Sequence, residues 1–227
     1  MTSSITLHHL EYSQSFRVLW LLEELGIDYE LVCYNRDPKS MAAPAEYKAL
    51  SPLGTAPVLT HGELVLAESS AIMEYLLDVS GNETLRPGTD SPHRARYLFW
   101  WHAAQGSMMP LQLMSTVLTI SHSRLPFFLK PLVGMFVSGL HDLFIQPRLD
   151  RLLGKAEYDL AEAPYFGGDT LSAADFLISY NLIVGEARGM LDSRHPNCLE
   201  WVQRMKALPS FARATKKDGR PSMALNY

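Results

Sequence analysis

The sequence predicts an α/β half followed by an all-α half. Three observations carry that expectation. Short apolar segments of strand length alternate with helical ones only as far as Val79. Residues 82–92 are rich in Gly, Pro, Thr and Ser and carry little apolar weight, which marks a linker. From His93 onward every apolar pattern has the helical period. The first half reads βαβ-ββα, and the expected division is residues 1–82, a linker at 83–92, and an all-helical part at 93–227.

Residues 5–10 are short and apolar, and Ser13 and Ser15 separate them from an apolar-periodic run that ends at Gly26. This reads as strand, tight loop and helix. A Ser hydroxyl can accept from a free amide of the first turn, and Gly26 can take the left-handed conformation that closes the last one. Phe16, Leu19, Trp20, Leu22 and Leu25 give the helix a broad apolar face. Residues 29–34, with Leu31, Val32 and Cys33, predict a second strand buried on both sides, hence parallel to the first. On that reading Cys33 is a small core residue.

A short helical piece is expected over residues 46–50. Two apolar runs in 57–66, with His61-Gly62 between them, predict an antiparallel hairpin. Glu68-Ser69-Ser70 then opens a helix whose Ile72, Tyr75, Leu76 and Val79 fall three and four apart. In the helical half, Ser172 and Asp175 form a capping-box pattern, with Leu171 placed to clamp Phe176, ahead of a buried helix over 176–184. Residues 111–140 are dominated by Leu, Met, Phe and Val. His122, Arg124, Pro126, Lys130 and Pro131 break them into pieces shorter than the roughly 20 apolar residues of a spanning helix. Buried helices or an interface are the expected use.

Composition excludes several function classes. The 227 residues carry 20 basic and 24 acidic side chains, a net charge of -4, so no global field gathers nucleic-acid phosphates or anionic lipid. Two cysteines, Cys33 and Cys198, suggest neither a disulfide scaffold nor a CxxC pair, and a reducing, cytoplasmic setting fits them. The start, Met1-Thr2-Ser3-Ser4, has neither the basic stretch nor the long apolar core of a signal peptide. The eight histidines show no HxxxH or His-carboxylate grouping, and His8 and His9 on a strand point to opposite faces, so no metal is expected.

Three local features carry chemistry. In Ser51–Leu59 (SPLGTAPVL), Pro57 enters a strand at a position where its missing amide is tolerated. A cis Ala56-Pro57 bond would turn the Ala56 amide and carbonyl outward to bind an extended peptide, although alone the motif reads as an ordinary loop proline. Glu68 and Ser69 sit at a helix start, where free amides and the positive dipole end suit a carboxylate and Glu68 can accept from an ammonium group. A cap and a first-turn acid are the commoner meaning of such residues. The third feature is the loop carrying Tyr12, Ser13, Gln14, Ser15, Phe16 and Arg17.

With SPLGTAPVL, AESSAIMEYLL at 67–77 and LSAADF at 171–176 in this order and spacing, the chain resembles the glutathione transferases. HHLEYSQSFRVLWLLEELG at 8–26 and WWHAAQGSMMPLQL at 100–113 bring it nearest to their fungal and bacterial serine-type group. The resemblance implies a thioredoxin-like domain that binds glutathione, an all-helical domain that shapes the pocket for a small apolar electrophile, and a cytoplasmic homodimer. It implies no metal; glutathione is the co-substrate. By the family pattern, the cysteine of glutathione lies antiparallel to the segment of Ala56 and Pro57, and Glu68 and Ser69 hold the γ-glutamyl end. Ser13 stabilises the thiolate, with Ser15 and Tyr12 as rivals for that role.

A free thiol with a pKa near ~8.5 is mostly protonated at neutral pH, so a hydroxyl donor at a helix start favours the reactive anion. The chain departs from the pattern at Thr55 and near Ala42, where many members place a cation or an amide that grips the glycine carboxylate. Either Lys39, Lys48 or another cation substitutes, or affinity for glutathione is modest. Gln105 stands where this group usually carries Glu. Met108, Met109, Leu113, Trp100 and Trp101 suit an adaptable apolar pocket, core packing, or both on opposite faces. Two other functions fit the same fold: glutathione-dependent reduction of peroxides or disulfides, and non-catalytic binding.

Overall fold

The computed structural model describes residues 4–219. The outer ends of the two predicted domains, residues 1–3 and 220–227, lie outside the described residues. The first half contains β1 (Ile5–Leu10), α1 (Ser15–Leu25), β2 (Tyr29–Tyr34), α2 (Ala45–Lys48), β3 (Val58–His61), β4 (Leu64–Ala67) and α3 (Ser69–Ser80). The four strands form one mixed sheet in the order β2-β1-β3-β4, with β1 and β2 parallel and the other pairs antiparallel. This is the thioredoxin-like order read from the sequence. Gly26 takes φ 64° and closes α1 with its amide on the Leu22 carbonyl, as its composition predicted.

Helices make up the rest. α4 (Arg94–Ala103) runs through a π-helical turn at Ala104–Met108 into α5 (Met109–Ser123). α6 (Lys130–Leu140) passes through a second such turn at His141–Ile145 into α7 (Gln146–Glu162). α8 (Ala173–Ala187), α9 (Pro196–Lys206) and α10 (Pro209–Asp218) follow. The capping box forms as expected: Asp175 accepts from the Ser172 amide at 3.0 Å and from its hydroxyl at 2.7 Å. The same buried carboxylate accepts from the Phe166 amide at 2.8 Å and from Trp201 Nε1 at 2.9 Å. Asp175 therefore ties α8 to α9 and to the preceding loop.

One core cluster spans both halves. Trp20 of α1 stacks edge-on against Phe176 of α8 and Phe211 of α10, and its Nε1 donates to Ser210 at 3.0 Å. α10 is further pinned to α1 by Arg213 and Lys217, both of which donate to the buried Glu23 carboxylate. Burial alone would raise the Glu23 pKa, but bonds from Lys217, Tyr29 and Arg213 outweigh it and hold the carboxyl below its usual value.

Four local expectations are corrected. β2 is parallel to β1 but is the edge strand of the described sheet, not one buried on both sides: Val32 and Cys33 are exposed, because among the described residues no strand extends the sheet beyond it. Cys33 is thus not a core residue. The hairpin turn is Gly62-Glu63, one residue later than expected, since His61 still pairs with Leu64. The cap position of α1 is Gln14 rather than a serine, although the Ser13 hydroxyl does accept the first-turn amide of Ser15 at 3.2 Å. The apolar stretch 111–140 is not buried within this chain. Only Leu111 of α5 is buried and no residue of α6 is, while Phe127 is 84% and Met135 72% exposed. Of the two uses expected there, an interface is the one compatible with that exposure. Among the described residues, no helix is long and apolar enough to cross a membrane.

Candidate glutathione site and active hydroxyl

Strand register brings the three sequence features to one end of the sheet, where β1 and β4 finish and β3 begins. β3 runs antiparallel to β1, so Val58 lies beside His8, and Pro57 enters near the end of β1. β4 runs antiparallel to β3 with Ala67 opposite Val58, which sets Glu68 and Ser69 on the same side. Ser13 leaves the C-terminal end of β1 toward α1. Residues far apart in sequence therefore meet because strand direction alternates.

The Ala56-Pro57 bond is cis, as expected. Ala56 is half-buried, Pro57 buried and Thr55 exposed. Glu68 is exposed and has φ 75°, a left-handed conformation that a non-glycine residue adopts only when its surroundings enforce it. Its carbonyl accepts the Ile72 amide at 2.9 Å and starts α3, while Ser69 is buried at the first helical position. Lys48 lies along Gly54, one residue from Thr55, and is exposed. Lys39 is exposed in the turn organised by Asp37.

Ser13 sits in a dense polar cluster. Its hydroxyl lies 2.7 Å from the Leu10 carbonyl and 2.7 Å from Ser15 Oγ, and it accepts the Ser15 amide at 3.2 Å. Ser15 Oγ in turn lies 2.7 Å from His9 Nδ1, and His9 Nε2 lies 2.7 Å from Asp218 Oδ1. Ser13 retains 6% of its surface and Ser15 none, so of the two serines only Ser13 reaches the surface. Tyr12 precedes it in a left-handed conformation, φ 50°. Arg36 braces this loop from β2, its Nε donating to the Glu11 carbonyl at 2.9 Å and its Nη1 to the Met41 carbonyl at 2.8 Å.

The helical half reaches the loop through Gln14. Its Oε1 accepts from Gln105 Nε2 at 3.1 Å and from Arg17 Nη2 at 2.8 Å. Arg17 is fully buried, donates to the Leu177 carbonyl and lies 5.1 Å from the Tyr180 ring. Burial pulls its pKa down to about 9. Trp100 and Met108 are core residues, with Trp100 Nε1 donating to Asp159 at 2.7 Å. Trp101 instead helps line a cavity of about 360 Å³ with Ser70, Glu74, Tyr97 and His102. Met109 is half-buried and Leu113 exposed.

The glutathione S-transferase N-terminal domain family matches residues 13–79, and the corresponding C-terminal domain family matches residues 138–218. A curated relative from Schizosaccharomyces pombe, glutathione S-transferase 3, is 30% identical over 94% of this chain and 87% of its own length. The chain belongs to the glutathione S-transferase family. Glutathione S-transferase 1 of Saccharomyces cerevisiae is 26% identical over 94% of both chains. The crystal structure of a glutathione S-transferase from Actinobacillus pleuropneumoniae superposes with a TM-score of 0.74 and 31% identity, covering 98% of this chain and 100% of that one.

Two fungal relatives and a bacterial structural neighbour agree with the fungal and bacterial character of the resemblance read from residues 8–26 and 100–113. Sequence reasoning missed the partners behind the hydroxyl. His9 and Asp218 are 209 positions apart, and no local pattern announces a pair that forms only when α10 closes over β1. Arg17 and Gln14 carry no sequence signal beyond their place in the loop, yet they couple it to the π-helical turn after α4 and to α8. Among the described residues, no cluster of His, Cys, Asp and Glu has the makings of a metal site.

Proposed function

We propose that this glutathione S-transferase conjugates the glutathione thiolate to small apolar electrophiles, with Ser13 as the hydroxyl that stabilises the thiolate. The observation that carries the reading is the Ser13 side chain: three polar neighbours hold it at the β1–α1 junction, and Ser13 reaches the surface where Ser15 does not. Glutathione lies along the end of the sheet where the three features meet. Its cysteine backbone runs antiparallel to Ala56 and Pro57, its γ-glutamyl ammonium meets Glu68, and its γ-glutamyl carboxylate meets the Ser69 end of α3.

Thr55 offers no charge to the glycine carboxylate. Lys48, exposed and with its side-chain stem alongside Gly54, takes the role. With a division at 1–82, 83–92 and 93–227, glutathione sits on the first part and the electrophile against the second, where Met109 and Leu113 present apolar surface. The protein acts as a cytoplasmic homodimer in detoxification, and the exposed apolar face of α5 and α6 supports association of two copies.

A glutathione-affinity matrix is the direct test. Retention and elution by free glutathione are expected. Failure to bind would sink the assignment of Ala56, Glu68 and Ser69 and favour a non-catalytic role. Turnover of an organic hydroperoxide faster than that of an aryl halide would shift the reaction to peroxide reduction.

A further inference from the structure

The Ser13 hydroxyl is the outer end of a buried polar chain whose inner end is a histidine-carboxylate pair. The links are Ser13 Oγ to Ser15 Oγ at 2.7 Å, Ser15 Oγ to His9 Nδ1 at 2.7 Å, and His9 Nε2 to Asp218 Oδ1 at 2.7 Å. The side chains of His9 and Asp218 expose 2% and 0% of their surfaces. The carboxylate accepts, so Nε2 carries a proton, and in the neutral ring Nδ1 is then an acceptor for Ser15.

We propose that His9, backed by Asp218, receives the proton of the bound glutathione thiol through the hydroxyls of Ser13 and Ser15. The proposal rests on the reading that Ser13 faces the sulfur. Before transfer, the thiol donates to Ser13 Oγ, Ser13 to Ser15 Oγ, and Ser15 to His9 Nδ1. The thiol proton then passes to Ser13 Oγ, the former Ser13 proton to Ser15 Oγ, and the former Ser15 proton to Nδ1. Each hydroxyl ends with one proton, every hydrogen bond has reversed direction, and the products are a thiolate accepting from Ser13 and an imidazolium held by Asp218. No net charge enters the site, which matters because an uncompensated buried charge is costly.

The groups around His9 suit this role. Asp218 of α10 supplies the negative charge, and Cys33 of β2 stands opposite His9 across the sheet pair. Burial and the nearby Asp218 both push the Cys33 thiol pKa up, so Cys33 stays neutral and does not compete. α1 presents Ser15, and β3 places apolar Val58 beside the neighbouring His8. Lys217, next to Asp218, turns its ammonium to Glu23 at 2.6 Å and Tyr29 at 3.1 Å. Glu11 takes the Arg36 amide. His9 is a positioning residue in that it meets the thiol only through two hydroxyls.

The test is a proton inventory on the full chain. Glutathione is added in weak buffer slightly above neutral pH, thiolate is read by its ultraviolet absorbance, and released protons by an indicator dye. Wild type is expected to form thiolate with almost no proton released. His9→Asn keeps a group that can bond Ser15 but cannot take a proton. It is expected to release one proton per thiolate and, with the bound thiol pKa up by about one unit, to hold roughly tenfold less thiolate. Asp218→Asn should move in the same direction and Asp218→Glu should restore part of the effect, whereas a purely structural role would leave the proton count unchanged.

One proton released per thiolate by the wild type, or a wild-type count in His9→Asn, overturns the relay and leaves Ser13 in place. Absence of thiolate in the wild type, or a thiolate pKa in Ser13→Ala equal to that of the wild type, overturns the Ser13 reading and the relay with it. The wild-type count and Asp218→Asn decide the matter even where His9→Asn does not fold.

Discussion

Replacing Ser13 by alanine removes one donor, and the structure sets how much that donor is worth. Without a thiolate, the single Ser13 proton is engaged with the Leu10 carbonyl or Ser15 Oγ, both 2.7 Å away. Turning it to the sulfur exchanges a neutral bond, roughly 0.5 to 1.5 kcal/mol, for one to a charged acceptor, roughly 1.5 to 3 kcal/mol. The net gain is about 1 to 1.5 kcal/mol, or about one pKa unit of the bound thiol at 1.36 kcal/mol per unit.

Ser13→Ala should therefore lower thiolate, and with it kcat/KM for an aryl halide, about tenfold near pH 6.5. Most of the loss should be recovered as pH rises past the shifted thiol pKa, because the thiolate then forms unaided. Glutathione affinity should change far less, since Ala56, Glu68 and Ser69 remain. The Ser15 amide, which Ser13 now accepts at 3.2 Å, loses its partner, so some stability loss accompanies the change. The assay is kcat/KM against pH with glutathione affinity measured in parallel. Full activity of Ser13→Ala at low pH, together with loss in Ser15→Ala or Tyr12→Phe, would refute the assignment.

Asp175→Ala strands four donors in a buried site, those of the Phe166 and Ser172 amides, the Ser172 hydroxyl and Trp201 Nε1. It should cost on the order of 3 to 5 kcal/mol in denaturant unfolding, and an unmoved midpoint would contradict the argument. Glu23 has a folded pKa held below its unfolded value, so its contribution is present above the ordinary carboxylate range and is lost as pH falls through the folded value. The stability gap between wild type and Glu23→Gln should thus be widest near neutrality and close in acid; a gap independent of pH would disprove the ion-pair account. Light scattering should give twice the mass of a 25.5 kDa chain, and a concentration-independent monomer would rule out the dimer.

The sequence by itself determined the order of elements and the motifs that gather at the end of β1, because those signals are local. A strand period giving way to a helical one, Gly26 at a helix end, Ser172 and Asp175 three apart, and a proline entering β3 are each set by a few neighbouring side chains. Tertiary structure alone decided what stands behind the catalytic loop. Ser15 looked like a cap and is instead a link to His9. His9 looked like a solitary strand histidine and is paired with Asp218 from the far end of the chain. Cys33 looked like core until strand order left β2 at the edge. Burial and pairing across such separations depend on which elements dock on which, and a periodic pattern of apolar residues says that a face is covered without saying by what.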